Sequence, residues 1–190
     1  EEFHQNRRIV EENPGEFIHL VATQLGLEVP HGAEEAFRDL IRREKNGLCL
    51  FLDVKEELKQ LKAMGYKNAL LSNTWQFPIP KLFENPNQGF ALDDFDELVM
   101  SYEVGVAKPN REFFLEAAQR CRAHVGDCLM IGDNPEFDVQ AALDVGMRAV
   151  HIDRYGDCAT RIPGVPVIEE IRQLYATSEI TGQTLKTEMR

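Results

Sequence analysis

The stretch IGDNPEFDV, Ile131–Val139, closes a short apolar run, CLMI, and sets two acids, Asp133 and Asp138, five residues apart across a Gly-Asp-Asn-Pro turn. A run this short and this apolar fits a strand buried on both faces. Gly132 permits a sharp turn, Pro135 is a favoured first helical residue, and EFDVQAALDVG continues at helical spacing. The stretch therefore reads as strand, turn, helix, with Asp133 at the strand's carboxyl end and Asp138 one turn into the helix. Two hard carboxylates so placed suit Mg²⁺, which takes one or two protein carboxylates and fills its other positions with water or phosphate oxygen. The plainer alternative is that Asp133 caps the helix and Asp138 is solvated.

The pattern repeats on both sides. Helix VKEELKQLKAMG, strand NALLS, a helix around IPKLFEN, strand ELVMS, helix NREFFLEAAQRC, strand RAVHI, then VPVI and a last helix follow in alternation. Such alternation predicts an α/β, Rossmann-like three-layer sandwich with a mostly parallel sheet over residues 48–175. Ligands of such sheets bind beyond the carboxyl ends of the strands. Residues 1–47 read as a helical segment: Phe17, Ile18, Val21 and Leu25 recur at helical spacing, and GAEEAFRDLIRREKNG follows with Gly47 as its expected C-cap. The polar tail, 176–190, carries no periodicity and is expected to be unstructured.

Two further strand ends carry chemistry. LLSNTW, Leu70–Trp75, ends in a hydroxyl and an amide, Ser72 and Asn73, which with free backbone N–H groups would cradle an oxyanion; a capped turn would use the same residues. In VGVAKPNREFF, Val104–Phe114, Lys108 precedes Pro109 and a helix, where its ammonium could neutralise phosphate or carboxylate, or simply be solvated. Trp75 and Phe77 could touch a leaving group, although packing is the commoner use of such aromatics. The histidines His4, His19, His31, His124 and His151 show no metal-ligand spacing and are assigned to surface or core.

Taken jointly, LLSNT, VGVAKPNREFF and IGDNPEFDVQAALDVGM resemble the second, third and fourth motifs of the haloacid dehalogenase-like (HAD) superfamily, in that order, across residues 53–155. By that resemblance Ser72, helped by Asn73, would bind a transferring phosphoryl group. Lys108 would neutralise it and hold the nucleophile, and Asp133 and Asp138 would position Mg²⁺. The GD…D form resembles the family's phosphatases rather than its metal-free dehalogenases. It implies hydrolysis of a small phosphorylated metabolite through an aspartyl-phosphate; a non-catalytic module of the same fold is the alternative. The helical segment resembles the latter part of the family's cap.

The family's first motif, D-x-D, has no good match. DFD, Asp94–Asp96, leads into a strand rather than ending one and reads as a polar turn. LCLFLDVKEEL places Asp53 after an apolar pentad, but Lys55 stands where the second acid belongs. Asp53 is thus a weak candidate nucleophile and reads better as a helix N-cap with Glu56 as its capping-box partner. The chain starts on Glu1, and the simplest expectation is that an upstream segment holds the nucleophile and the first strand of the core.

Composition narrows the field. A formal charge of −11, a pI near 4.9 and no basic cluster beyond arginine pairs argue against a nucleic-acid partner. The four cysteines, Cys49, Cys121, Cys128 and Cys158, lack C-x-x-C spacing, so neither a zinc site nor a disulfide framework is expected, and a reducing cytoplasm is. No apolar run approaches the roughly 20 residues that span a bilayer, so no membrane partner is expected.

Overall fold

The structure, a computed structural model, describes residues 13–47, 51–74 and 94–176. The expected helix around IPKLFEN, Trp75 and Phe77, Cys49 and most of the polar tail lie outside the described residues.

The helical segment forms two helices. In α1, Pro14–Leu25, Asn13 caps the start by accepting the Glu16 N–H at 3.3 Å, and Gly26, at φ 67°, ends it in the left-handed conformation that glycine adopts without strain. The second, α2, spans Ala33–Gly47 and packs on α1 through stacked Phe17 and Phe37 rings, 5.5 Å apart.

The alternating region supplies α3 (Val54–Ala63), β1 (Ala69–Ser72), β2 (Glu97–Met100), α4 (Ser101–Val104) and α5 (Arg111–Arg120). It continues with β3 (Leu129–Gly132), a π-turn (Pro135–Gln140) running into α6 (Ala141–Asp144), β4 (Arg148–Ile152), β5 (Val167–Ile168) and a 3₁₀ turn, Ile171–Ala176. The last helix expected from the sequence takes the 3₁₀ form. Asp94–Asp96 is the polar turn its sequence suggests: the Asn68 N–H donates to the Asp96 carboxylate at 2.9 Å, and the Asn68 amide to the Asp94 carbonyl.

Every described strand pair is parallel, β1 with β2, β3 with β4, and β4 with β5. Helices cover both faces, as the side-chain alternation of β4 shows. Ala149 packs with Phe114, Ala118, Val139 and Ala142 of α5, the π-turn and α6. Val150 and Ile152 pack with Val54 and Leu61 of α3 and with Ile171 and Leu174. Residues one apart on a strand face opposite sides, which gives three layers.

The parallel strands fall into two groups. Among the described residues β1–β2 and β3–β4–β5 are separate sheets, so β1 and β3 each keep one edge without a strand partner. Both edges line one cavity of about 890 Å³, walled by Ala69, Leu70 and Leu71 of β1, Leu129, Met130 and Ile131 of β3, Leu58 and Leu61 of α3, and Ala117 and Cys121 of α5. Among the described residues no helix is long and apolar enough to cross a membrane.

Candidate functional site

The turn after β3 is built by close approach. A Cβ on Gly132 would stand 2.2 Å from the Asp138 Cβ, so only glycine lets the first turn of the next helix fold back against the strand end. Asn134, not Asp133, caps that helix: its Oδ1 accepts the N–H groups of Glu136 and Phe137 at 3.0 and 2.8 Å. The Asp138 and Val139 N–H groups both donate to the Asn134 carbonyl, which widens the first turn into a π-turn. This widening carries Asp138 inward, where it is buried, while Asp133 stays exposed.

Asp138 is not solvated. Its Oδ2 accepts the Asn134 N–H at 3.0 Å, and its Oδ1 accepts from Lys108 Nζ at 2.5 Å, a pair whose side chains are only 4% and 13% exposed. Lys108 is thereby fixed rather than free. Its backbone is bracketed by the Asn73 side chain, which accepts the Lys108 N–H and donates to the Lys108 carbonyl, both at 2.8 Å. The Asn73 amide, expected to face phosphate, is therefore engaged with the lysine's main chain, and the residue acts as a brace. A second brace joins the segment after β1 to the start of α4: buried Ser101 accepts the Thr74 N–H and donates to the Thr74 carbonyl, each at 3.1 Å. Neither brace has a sequence signal, because both partners are paired only by the sheet.

Contacts thus run from the end of β1 through Asn73 to Lys108 and on to Asp138 in the turn after β3. Ser72 ends β1, half-buried, and neither its hydroxyl nor the Asp133 carboxylate makes a hydrogen bond among the described residues. His151, assigned by sequence to surface or core, is fully buried on β4, and its Nε2 lies 3.1 Å from the Asp133 carbonyl.

Asp53 does other work. It has helical backbone angles and makes no capping bond, which corrects the N-cap and capping-box reading. Its Oδ1 accepts from Arg154 at 2.7 Å and its Oδ2 from the Ile171 N–H at 3.0 Å, with the guanidinium over the Phe51 ring. Burial works to raise its pKa and is outweighed by the Ile171 N–H and Arg154, which hold it below the usual carboxylate range. With both oxygens taken, Asp53 is a fastener between the start of α3 and the segments after β4 and β5, and the nucleophile assignment does not fit it.

A family model described as haloacid dehalogenase-like hydrolase matches residues 3–146. The chain belongs to the haloacid dehalogenase-like hydrolases. Phosphoserine phosphatase of Thermus thermophilus is 33% identical over 132 residues, 67% of this chain and 51% of that protein. Glyceraldehyde 3-phosphate phosphatase of Methanopyrus kandleri is 35% identical over 107 residues, 54% of this chain and 42% of that protein. This HAD chain thus spans about half the length of the curated relatives it matches. Among solved structures, a HAD phosphatase from Thermococcus onnurineus superposes with a TM-score of 0.63 at 26% identity, covering 83% of this chain and 68% of that one. The likeness confirms the α/β, Rossmann-like architecture.

Proposed function

We propose that this HAD chain works in a Mg²⁺-dependent phosphatase acting on a small phosphomonoester. The observation that carries the reading is the buried pair of Lys108 and Asp138, held at the carboxyl ends of two sheets beside a hydroxyl and a carboxylate that have no partner among the described residues. The Ser72 hydroxyl would take a phosphoryl oxygen, and Lys108 supplies a fixed positive charge where negative charge gathers during transfer. The donor set fits a hard divalent cation. Asp133 offers an exposed carboxylate with no hydrogen bond among the described residues, and each Asp138 oxygen keeps a lone pair beyond its present partner. Asp133 and Asp138 would hold Mg²⁺, which when bound supplies further neutralisation of phosphate charge.

The attacking group is proposed to be an aspartate outside residues 1–190, at the carboxyl end of a strand that fills the cavity between β1 and β3. Its carboxylate would form a bond to phosphorus as the ester oxygen departs, and water would then hydrolyse the aspartyl-phosphate. Two features support this: among the described residues, two parallel edges without a strand partner on one apolar cavity, and the engagement of both Asp53 oxygens.

Phosphate-release assays on a chain extended upstream, with phosphoserine and p-nitrophenyl phosphate as probes, test the proposal. The expected result is Mg²⁺-dependent turnover that Asp133→Asn lowers by about 10²-fold or more, the scale of losing a main charge-stabilising group, without lowering the melting temperature. Unchanged turnover in Asp133→Asn would sink it, and phosphate binding without any turnover would point instead to a non-catalytic module.

A further inference from the structure

His151 is a poor core filler. It is 1% exposed, and its Nδ1 is buried with no hydrogen-bond partner among the described residues. An unsatisfied buried polar atom costs about 1–3 kcal/mol, so an apolar side chain of similar size would suit packing better. What the imidazole offers that an apolar side chain cannot is Nε2, 3.1 Å from the carbonyl of Asp133. A carbonyl can only accept, so Nε2 carries the proton and donates it.

The place of this bond matters. His151 is the register partner of Gly132 across β3–β4, so its ring sits at the last residue before the turn and reaches one residue beyond it. The turn is held at three successive points: Gly132 by the strand ladder, the Asp133 carbonyl by His151, and the Asn134 N–H by Asp138 Oδ2. Without His151 the peptide that carries the Asp133 side chain would have no anchor of its own among the described residues.

We infer that His151 is a positioning residue, which by donating Nε2–H to the Asp133 carbonyl fixes the direction in which the Asp133 carboxylate is presented. The metal role of Asp133 rests on the function proposed above; the fixing of the turn does not. A histidine that orients a ligating carboxylate through its main chain acts outside the set of metal ligands, where such partners change metal affinity by about 10- to 100-fold.

Two measurements on the 190-residue chain separate the cases, using H151L, which removes the donor, and H151Q, which returns an N–H donor. Hydrogen exchange of the Asn134 amide is expected to speed up in H151L and to recover in H151Q, while the α5 core amides stay as they were. Titration calorimetry with Mg²⁺ and inorganic phosphate is expected to show affinity weakened about tenfold or more in H151L and largely restored in H151Q. Unchanged Asn134 exchange in H151L would overturn the inference whatever Mg²⁺ does. Equal loss in H151L and H151Q would overturn it too, by showing that bulk and shape alone matter. A turn loosened in H151L and restored in H151Q, with no Mg²⁺ bound by the unmodified chain, would support the positioning role while counting against the metal reading.

Discussion

The acids of this chain differ less in type than in what the fold brings to them. Asp138 receives an ammonium and a main-chain N–H, Asp133 receives neither among the described residues, and Asp53 receives a guanidinium and a main-chain N–H from residues more than a hundred positions away. The Asp53 contacts have a consequence in acid. Its folded-state pKa lies below that of the unfolded chain, about 3.9, so the stabilisation is complete above that value and is lost as pH falls through the folded one. Asp53→Asn should therefore lower the urea midpoint at pH 7, and the gap from the unmodified chain should narrow below about pH 4, where the unfolded carboxyl becomes protonated. Urea titrations at pH 7, 5 and 3 would read this, and a gap that stays constant would assign the effect to shape rather than charge. Sequence alone could mark Asp53 as a carboxylate at a helix start but could not name Arg154 as its partner. Asn73 and His151 were obscure for the same reason, since their partners are set by strand order.

At the scale of elements, hydrophobic patterning located most of what forms. The strand RAVHI coincides with β4, and NREFFLEAAQRC contains α5. What patterning could not see is the π-turn over Pro135–Gln140, because a helix that widens by one residue keeps nearly the same apolar spacing. Its cause is steric and electrostatic: Asn134 caps it, Lys108 draws in Asp138, and Gly132 leaves the space. The strand end and the π-turn thus share the volume a Cβ would occupy. Gly132→Ala should destabilise the chain by about 1–3 kcal/mol or more, the range of overpacked interiors. It should also loosen the Asn134 to Asp138 contact more than the α5 core. Thermal melting with amide exchange would show both, and an alanine variant as stable as the parent would mean that the turn can move aside without cost.

For the whole molecule the decisive feature is the gap between two parallel sheets. Alternate N–H and C=O groups of β1 and β3 point to their existing partners, β2 and β4, and the others point into the shared cavity. An apolar cavity walled by unpaired backbone is costly, since each buried, unsatisfied group forgoes about 1–3 kcal/mol. Among the described residues no spare five-residue apolar run fills it. LCLFL is the nearest candidate, but it ends in Leu52, fully exposed, and runs directly into the Asp53 fastener. The filling strand is therefore expected from polypeptide outside the described residues, buried on both faces and parallel to its neighbours. In the 190-residue chain the cavity-facing amides of Ala69–Ser72 and Leu129–Gly132 should exchange quickly, while those bonded to β2 and β4 are protected. In a chain extended upstream through an apolar strand, the fast set should slow by about tenfold or more, with a rise in melting temperature and loss of hydrophobic-dye binding. Protection of both sets in the 190-residue chain itself would mean that its own residues close the gap, and would remove the structural support for a nucleophile delivered on an added strand.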